Sequence, residues 1–209
     1  MGCKSLSEKG LVLIISGPSG VGKTTVSRRL AERPDVFLSV SMTTRPPRPT
    51  EIEGQSYHFV TVEDFEQRIE QGKMLEYARG YGGHYYGTPA EPVYEALRAG
   101  RVAVLDIEIE GTLQVKRRMP EAVAVYLTAP DAREQRERLV GRAQDSEEAM
   151  AERLSKADAE IRQARQCGAY DHFVVNRRVE KTVEELVRII ESARGRAKVE
   201  RKRRPMRGR

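Results

Sequence analysis

The apolar residues of this chain occur in short runs separated by longer amphipathic stretches. Five runs have the length and composition of buried strands: LVLIIS (11–16), VFLSVS (36–41), RVAVLD (101–106), AVAVYLT (122–128) and FVVN (173–176). Helical patterns lie between or after them, at 23–32, 89–99, 110–118, 131–142, 146–167 and 180–193. This repeated strand–helix order predicts an α/β fold with a parallel sheet flanked by helices.

The segment from about residue 43 to 97 has a different pattern. It opens on the proline-rich stretch TTRPPRPT and then shows short strands at 57–61, at 74–81 and around Tyr85, with many glycines. Thr61, followed three residues later by Asp64, predicts the N-cap of a helix over 62–72. We interpret this segment as an insert that projects from the ends of the sheet strands.

The basic charge of the chain is concentrated at its C-terminus. The 209 residues, a length that fits one domain, carry a formal net charge of +6. Residues 194–209 hold nine Lys or Arg and one Glu, so the rest of the chain has 28 basic and 30 acidic side chains. This distribution weakens the interpretation as a nucleic-acid-binding protein. We expect residues 1–10 to be an N-terminal extension and 194–209 a disordered basic tail that binds polyanions weakly.

The cysteine content and the hydropathy pattern indicate a cytoplasmic protein. Cys3 and Cys167 are the only cysteines, which excludes a disulfide framework and a cysteine-rich metal site. Two reduced thiols suit the cytosol, although a single bridge between them stays an alternative. No apolar run approaches the roughly 18 residues of a membrane span, so no membrane partner is expected. The oligomeric state is left open.

The most specific motif is GPSGVGKT, which begins at Gly17 and fits G-x-x-x-x-G-K-[ST] between a predicted strand and a predicted helix. Its glycines let backbone N–H groups turn inward around phosphate oxygens, and the helix adds its positive N-terminal end. Lys23 is expected to reach the β- and γ-phosphates of ATP, and Thr24 a Mg²⁺ ion. The predicted ATP-binding residues of this loop are Gly17, Pro18, Ser19, Gly20, Val21, Gly22, Lys23 and Thr24.

Two further features indicate an acceptor site. Asp106 ends the apolar strand VAVLD, where a carboxylate can reach a metal shell or a substrate; capping the next helix is the alternative. Arg45 and Arg48 lie three apart on a proline-stiffened loop and suit a dianionic phosphate, although a solvated loop would have the same composition. These patterns leave open whether the nucleotide is hydrolysed or its phosphoryl group is transferred.

The motifs, taken together, resemble those of the guanylate kinase family. In family order they are GPSGVGKT, SVSMTTRPPRP, GQSYHFV, MLEYA, HYYGTP, VLDIEIEG, RLVGR…ERL and VVN, from about residue 11 to 193. The resemblance implies a P-loop NTPase-like core (about 11–42 and 98–193), a GMP-binding insert (about 43–97) and a small helical lid (about 140–155). It further implies transfer of the ATP γ-phosphate to GMP with Mg²⁺, giving GDP and ADP.

The resemblance also implies a role for individual residues. The GMP phosphate would be held by Arg45, Arg48, Tyr57 and Tyr86. The guanine would meet Ser41, Glu76 and Thr88, with Asp106 close to GMP or, through water, to the metal. The transferring phosphoryl group would be stabilised by Lys23, Arg45 and the lid and hinge arginines Arg138, Arg142 and Arg153, while Asn176 would lie near the adenine.

Chemistry supports Glu76 independently, because guanine presents N1–H and N2–H₂ as adjacent donors that one carboxylate accepts together. The chain departs from the family pattern at Glu108, where Asp is usual, and at Glu110, where Gln is common. The loop after Arg142 also lacks a glycine often found there. Two alternatives stay open at this stage: a nucleic-acid-binding protein acting through its basic tail, and a P-loop ATPase with a protein partner.

Overall fold

The computed structural model describes residues 10–131, 133–134 and 158–203. In these residues the strands are β1 (Leu11–Ser16), β2 (Val36–Leu38), β3 (Met42–Thr43), β4 (His58–Phe59), β5 (Met74–Arg79), β6 (Tyr85–Pro89), β7 (Val102–Asp106), β8 (Val123–Thr128) and β9 (His172–Val175). The helices are α1 (Lys23–Leu30), α2 (Val62–Glu70), α3 (Ala90–Arg98), α4 (Ile109–Arg118) and the C-terminal helix (Val179–Arg203). Residues 158–166 are helical as well.

The central sheet is parallel and has the strand order β2–β7–β1–β8–β9. Its middle strand β1 is buried throughout, and its side chains alternate between two cores. Leu13 and Ile15 pack with α1 and the C-terminal helix, whereas Val12 and Ile14 pack with α3 and α4. Because both faces are covered, the strands are continuously apolar, and the predicted parallel sheet flanked by helices is confirmed.

A second, mixed sheet has the order β4–β3–β6–β5 and uses strands that all lie within residues 42–89. Its own small core contains Met42, Phe65 and Met74. The Thr61 hydroxyl accepts a hydrogen bond from the Asp64 backbone N–H at 3.1 Å, which confirms the predicted N-cap of α2. This sheet therefore occupies the segment in which the sequence pattern changes.

The predicted strand over 36–41 is wrong beyond its first half. Strand β2 ends at Leu38, although the Ser39 N–H still donates to the Val104 carbonyl at 2.9 Å. The chain then crosses to the second sheet, where Met42 pairs with His58 on one side and Gly87 on the other. The segment that begins with this apolar run therefore contributes β2 to the parallel sheet and β3 to the mixed sheet, and its composition does not predict the division.

The predicted start of a disordered tail at residue 194 is also corrected. The C-terminal helix, expected to end at residue 193, continues to Arg203. Arg194 explains the first part of this extension, because its Nη1 lies 2.9 Å from Asp35 Oδ2 and its Nη2 donates to the Gly100 carbonyl at 2.9 Å. Contacts with Asp35 and Gly100 therefore hold Arg194, the residue at which the composition predicts the start of the disordered tail.

Several expectations fall on residues outside the described ones. They include the N-terminal extension as far as residue 9, most of the helices at 131–142 and 146–167, the lid at 140–155 with Arg138, Arg142 and Arg153, and residues 204–209. Within the described ranges, none of the helices combines the length and the apolar character needed to cross a membrane.

Candidate functional site

The loop between β1 and α1 needs glycine for both conformation and space. Gly17, Gly20 and Gly22 have φ angles of 151°, 83° and 91°, values that other residues rarely adopt. A Cβ at Gly17 would also lie 2.4 Å from the Leu127 carbonyl oxygen. The loop is thus pressed against the end of β8, and its backbone turns as a phosphate-binding nest requires.

Asn176, at the end of β9, braces this loop from behind. The residue is only 3% exposed, and its side-chain Nδ2 donates to the Val21 carbonyl at 2.7 Å. The Thr182 hydroxyl donates to Asn176 Oδ1 at 2.8 Å and thereby fixes the orientation of the amide. A Cβ at Gly22 would come within 2.8 Å of the same Nδ2. Sequence reasoning did not indicate this bracing contact, which joins groups 155 residues apart.

Lys23, Thr24 and Asp106 meet at the mouth of the loop. The Lys23 ammonium donates to the carbonyls of Gly17 at 2.5 Å and Pro18 at 3.3 Å, so it lies inside the loop. The Thr24 hydroxyl donates to Asp106 Oδ2 at 3.4 Å. Burial raises the pKa of Asp106, and the positive charge of Lys23 opposes that shift. A hydroxyl beside a carboxylate is the hard oxygen donor set that suits Mg²⁺.

The two predicted phosphate-binding arginines share one acidic partner. Arg45 Nη2 donates to both carboxylate oxygens of Glu51, at 2.7 and 2.9 Å, and Arg45 Nε donates to the Tyr86 hydroxyl at 3.2 Å. The Arg48 backbone N–H donates to Glu51 Oε2 at 2.8 Å, while the Arg45 guanidinium lies 5.7 Å from the Tyr57 ring centre. Sequence reasoning missed Glu51; its only local signal is an acid three residues after Arg48.

Glu76 and Thr88 form a buried pair across β5 and β6. They face each other in the strand register, and the Thr88 hydroxyl donates to Glu76 Oε1 at 2.6 Å. Glu76 is only 4% exposed, and burial raises the pKa of its carboxyl group to about 7. The hydrogen bonds from Thr88 and the charge of Arg118 oppose this shift, whereas the negative charge of Glu108 adds to it.

The end of β7 connects these groups. Burial contributes most to the raised pKa of Tyr57, and the negative charge of Asp106 contributes next. The negative charge of Glu108 raises the pKa of both Asp106 and Glu76. Ser41 lies in the crossover between the sheets, where its carbonyl accepts the His58 N–H at 2.8 Å. The predicted residues outside the lid thus gather around the carboxyl end of the parallel sheet, where ligands bind in such folds.

Comparison with known proteins identifies the family of this chain. The family model described as guanylate kinase matches residues 9–193. The chain belongs to the guanylate kinase family. It is 49% identical over 189 residues to the guanylate kinase of Streptococcus agalactiae serotype III, covering 90% of this chain and 88% of that one. The guanylate kinase of Lactococcus lactis subsp. lactis is also 49% identical, over 188 residues and 90% of each chain.

A solved structure supports the same membership. The crystal structure of guanylate kinase from Anaplasma phagocytophilum matches with a TM-score of 0.73 and 29% sequence identity, over 90% of this chain and 88% of that one. The family resemblance indicated by the eight sequence motifs is therefore confirmed. The matched residues of the family end at 193, so the extended part of the C-terminal helix lies beyond them.

Proposed function

We propose that this guanylate kinase family member transfers the γ-phosphate of ATP to GMP, producing ADP and GDP in purine nucleotide metabolism. The observation that carries the proposal is the buried carboxylate of Glu76, held by Thr88, near the same sheet end as an intact phosphate loop. An enzyme that only hydrolysed a nucleotide would have no use for a second, carboxylate-lined recognition site.

ATP would be bound by the loop from Gly17 to Thr24, with its phosphates inside the nest and Lys23 beside the β- and γ-phosphates. Thr24 and, through water, Asp106 would hold Mg²⁺, which neutralises phosphate charge when bound. Asn176 would lie near the adenine, as the family resemblance implies, while its amide maintains the loop. These residues therefore bind and orient the donor nucleotide.

The GMP phosphate would be held by Arg45, Arg48, Tyr57 and Tyr86. The cluster is already organised, since Glu51 fixes the guanidinium of Arg45 and the backbone of Arg48. A phosphate monoester has a second pKa of about 6, so its attacking oxygen is ionised at neutral pH and needs no general base. Catalysis then consists of alignment and charge stabilisation.

Guanine would be recognised by Glu76, Thr88 and Ser41. Glu76 Oε1 accepts from Thr88, and the ionised carboxylate retains lone pairs for the N1–H and N2–H₂ donors of guanine. Adenine presents an acceptor at N1 and would be repelled by the same carboxylate. The buried position strengthens the discrimination, because a misplaced ligand would leave the acid desolvated and unpaired.

The remaining charge stabilisation would come from Arg138, Arg142 and Arg153, which lie outside the described residues. The family resemblance supports their role as lid and hinge arginines that approach the transferring group opposite Lys23. Lid closure would also exclude water, which otherwise hydrolyses ATP.

A coupled assay of ADP formation tests the proposed function. The purified protein is supplied with Mg²⁺ and ATP, and GMP, AMP, UMP and CMP are compared as acceptors. We expect ADP release that depends on GMP and yields GDP in equal amount. ADP release that does not depend on any acceptor would instead establish an ATPase, and no release with any acceptor would contradict the proposal.

We propose that the enzyme acts in the cytoplasm, where ATP and GMP occur and where its thiols stay reduced.

The basic residues at the C-terminus suggest a second interaction. Residues 194–209, with nine basic side chains, would bind polyanions weakly and without sequence preference. Such binding should weaken with salt, with a log–log slope of about −0.7 to −0.9 for each phosphate contacted.

A further inference from the structure

Helix α4 approaches strand β5 most closely at a position without a side chain. A Cβ at Gly111, the third residue of α4, would lie 2.4 Å from Glu76 Oε2 and 2.9 Å from its Cδ. Gly111 is not among the glycines with positive φ, so its helical backbone conformation does not itself require glycine. Glycine is therefore needed here for space, and the space is filled by the Glu76 carboxylate.

The same face of α4 holds the open edge of β5. β5 is an edge strand, and Gln114 satisfies its backbone by accepting from the Tyr77 N–H at 3.2 Å and donating to the Tyr77 carbonyl at 2.6 Å. Arg118 Nη1 donates to the carbonyls of Met74 at 2.6 Å and Leu75 at 2.7 Å. The two side chains bind β5 on both sides of Glu76, so the strand cannot shift to relieve a clash at the carboxylate.

The carboxylate itself has little freedom. Thr88 donates to Oε1 at 2.6 Å, while Oε2 lies on the side of Gly111. A methyl group at residue 111 would displace Oε2 and break the bond from Thr88, because the side chain is buried and the strand is fixed. The displaced carboxylate would then present its two oxygens to the N1–H and N2–H₂ donors of guanine in a different geometry.

We propose that Gly111 is a specificity-determining residue of the acceptor site: its lack of a side chain lets α4 pack against the Glu76 carboxylate and hold it in the position that selects guanine. Gln114 and Arg118 act as positioning residues for β5. This inference rests on the proposed function, since it names the residue that places the guanine-binding carboxylate.

The test is Gly111→Ala in the full-length protein. We expect the KM for GMP to rise by at least about tenfold and the preference for GMP over AMP to fall, since a hydrogen-bonding site discriminates through its geometry. The KM for ATP should stay within about twofold. Alanine favours a helix interior more than glycine does, so the change is not intrinsically harmful to α4. The matched control is Gly195→Ala, because a Cβ at that helical glycine would have nothing within 4 Å.

A second background separates a local effect on Glu76 from general damage. In Glu76→Ala the obstructing carboxylate is absent, so adding Gly111→Ala should change GMP kcat/KM by less than about twofold. If the single Gly111→Ala variant fails to fold, the double variant should recover the melting temperature of Glu76→Ala. The inference would be overturned if Gly111→Ala had the same kinetic constants as wild type for GMP and for AMP. It would also be overturned if the loss of GMP kcat/KM in the double variant equalled the sum of the free-energy losses of the two single variants. A wild-type enzyme without GMP-dependent ADP formation would instead refute the proposed function.

Discussion

Replacement of Glu76 by glutamine is the most informative perturbation of the proposed acceptor site. The change keeps the size of the side chain but removes its charge. The amide NH₂ group replaces one carboxylate oxygen, so a hydrogen-bond donor then faces the N–H donors of guanine. Two hydrogen bonds to a charged partner are lost or weakened, so GMP kcat/KM should fall roughly 100-fold. AMP should become a better acceptor relative to GMP.

The same substitution should stabilise the ligand-free protein at alkaline pH. Burial raises the pKa of Glu76 from 4.5 to about 7, which corresponds to about 3 kcal/mol at about 1.4 kcal/mol per pKa unit. Because the folded state holds this proton more tightly than the unfolded state, ionisation of Glu76 costs stability as the pH rises from about 4.5 to 7. Glutamine has no such cost. The variant should therefore gain about 3 kcal/mol over wild type at about pH 8.5, and less than about 1 kcal/mol at pH 5.

The two effects are measured separately. The coupled ADP assay, with GMP and AMP as acceptors, gives the specificity ratio, and urea unfolding at about pH 5 and pH 8.5 gives the stability difference. Glu66→Gln, at an exposed glutamate of α2, is the control for loss of one negative charge. A GMP-to-AMP ratio equal to that of wild type would remove Glu76 from the guanine site. A stability difference that does not grow with pH would refute the buried, raised-pKa carboxylate.

Three further predictions concern other parts of the molecule. Lys23→Met should keep the fold, by circular dichroism, and lower kcat about 10³-fold or more; a variant with over about a tenth of wild-type kcat would contradict the role of Lys23. Glu51→Gln should lower the free energy of unfolding at pH 7 by about 1–2 kcal/mol, because Arg45 loses a bidentate partner. Although burial acts in the opposite direction, hydrogen bonds from Arg45 and a backbone N–H lower the pKa of Glu51, so this difference should shrink as the pH falls below about 4. Removal of residues 194–209 should leave kcat and both KM values within about twofold and cost about 1 kcal/mol in urea unfolding, since Arg194 contacts the core.

The parts of the fold that sequence predicts are those whose signal is local. The run LVLIIS is continuously apolar because β1 is covered on both faces, and the glycines that follow it mark a turn with positive φ. Likewise Thr61 and Asp64 form their cap within three residues. At these positions neighbouring residues determine the conformation, so pattern and structure agree.

The remainder depends on contacts between residues far apart in the chain. Composition assigned Arg194 to a disordered tail, but its partner Asp35 lies 159 residues away. Asn176 reaches the phosphate loop across 155 residues. Gly111 ends the motif VLDIEIEG, but the sequence gives no reason for a glycine there, since a helical glycine with ordinary φ looks like any other until Glu76 is placed beside it. No periodicity encodes such pairs, and only the folded chain reveals them.

In the proposed acceptor site, the cost of burying Glu76 is itself a means of selecting guanine. Because Glu76 is only 4% exposed, its ionised carboxylate has lost most of its water, and the hydrogen bonds from Thr88 replace only part of it. A base with two adjacent donors restores the missing hydrogen bonds, whereas a base with an acceptor leaves them unmade and adds repulsion. Discrimination therefore increases with burial, provided that the carboxylate cannot turn away to find other partners. In the proposed site, Gly111, Gln114 and Arg118 supply that condition by holding α4 against β5, so the packing that buries the Glu76 carboxylate also fixes the position in which it would select guanine.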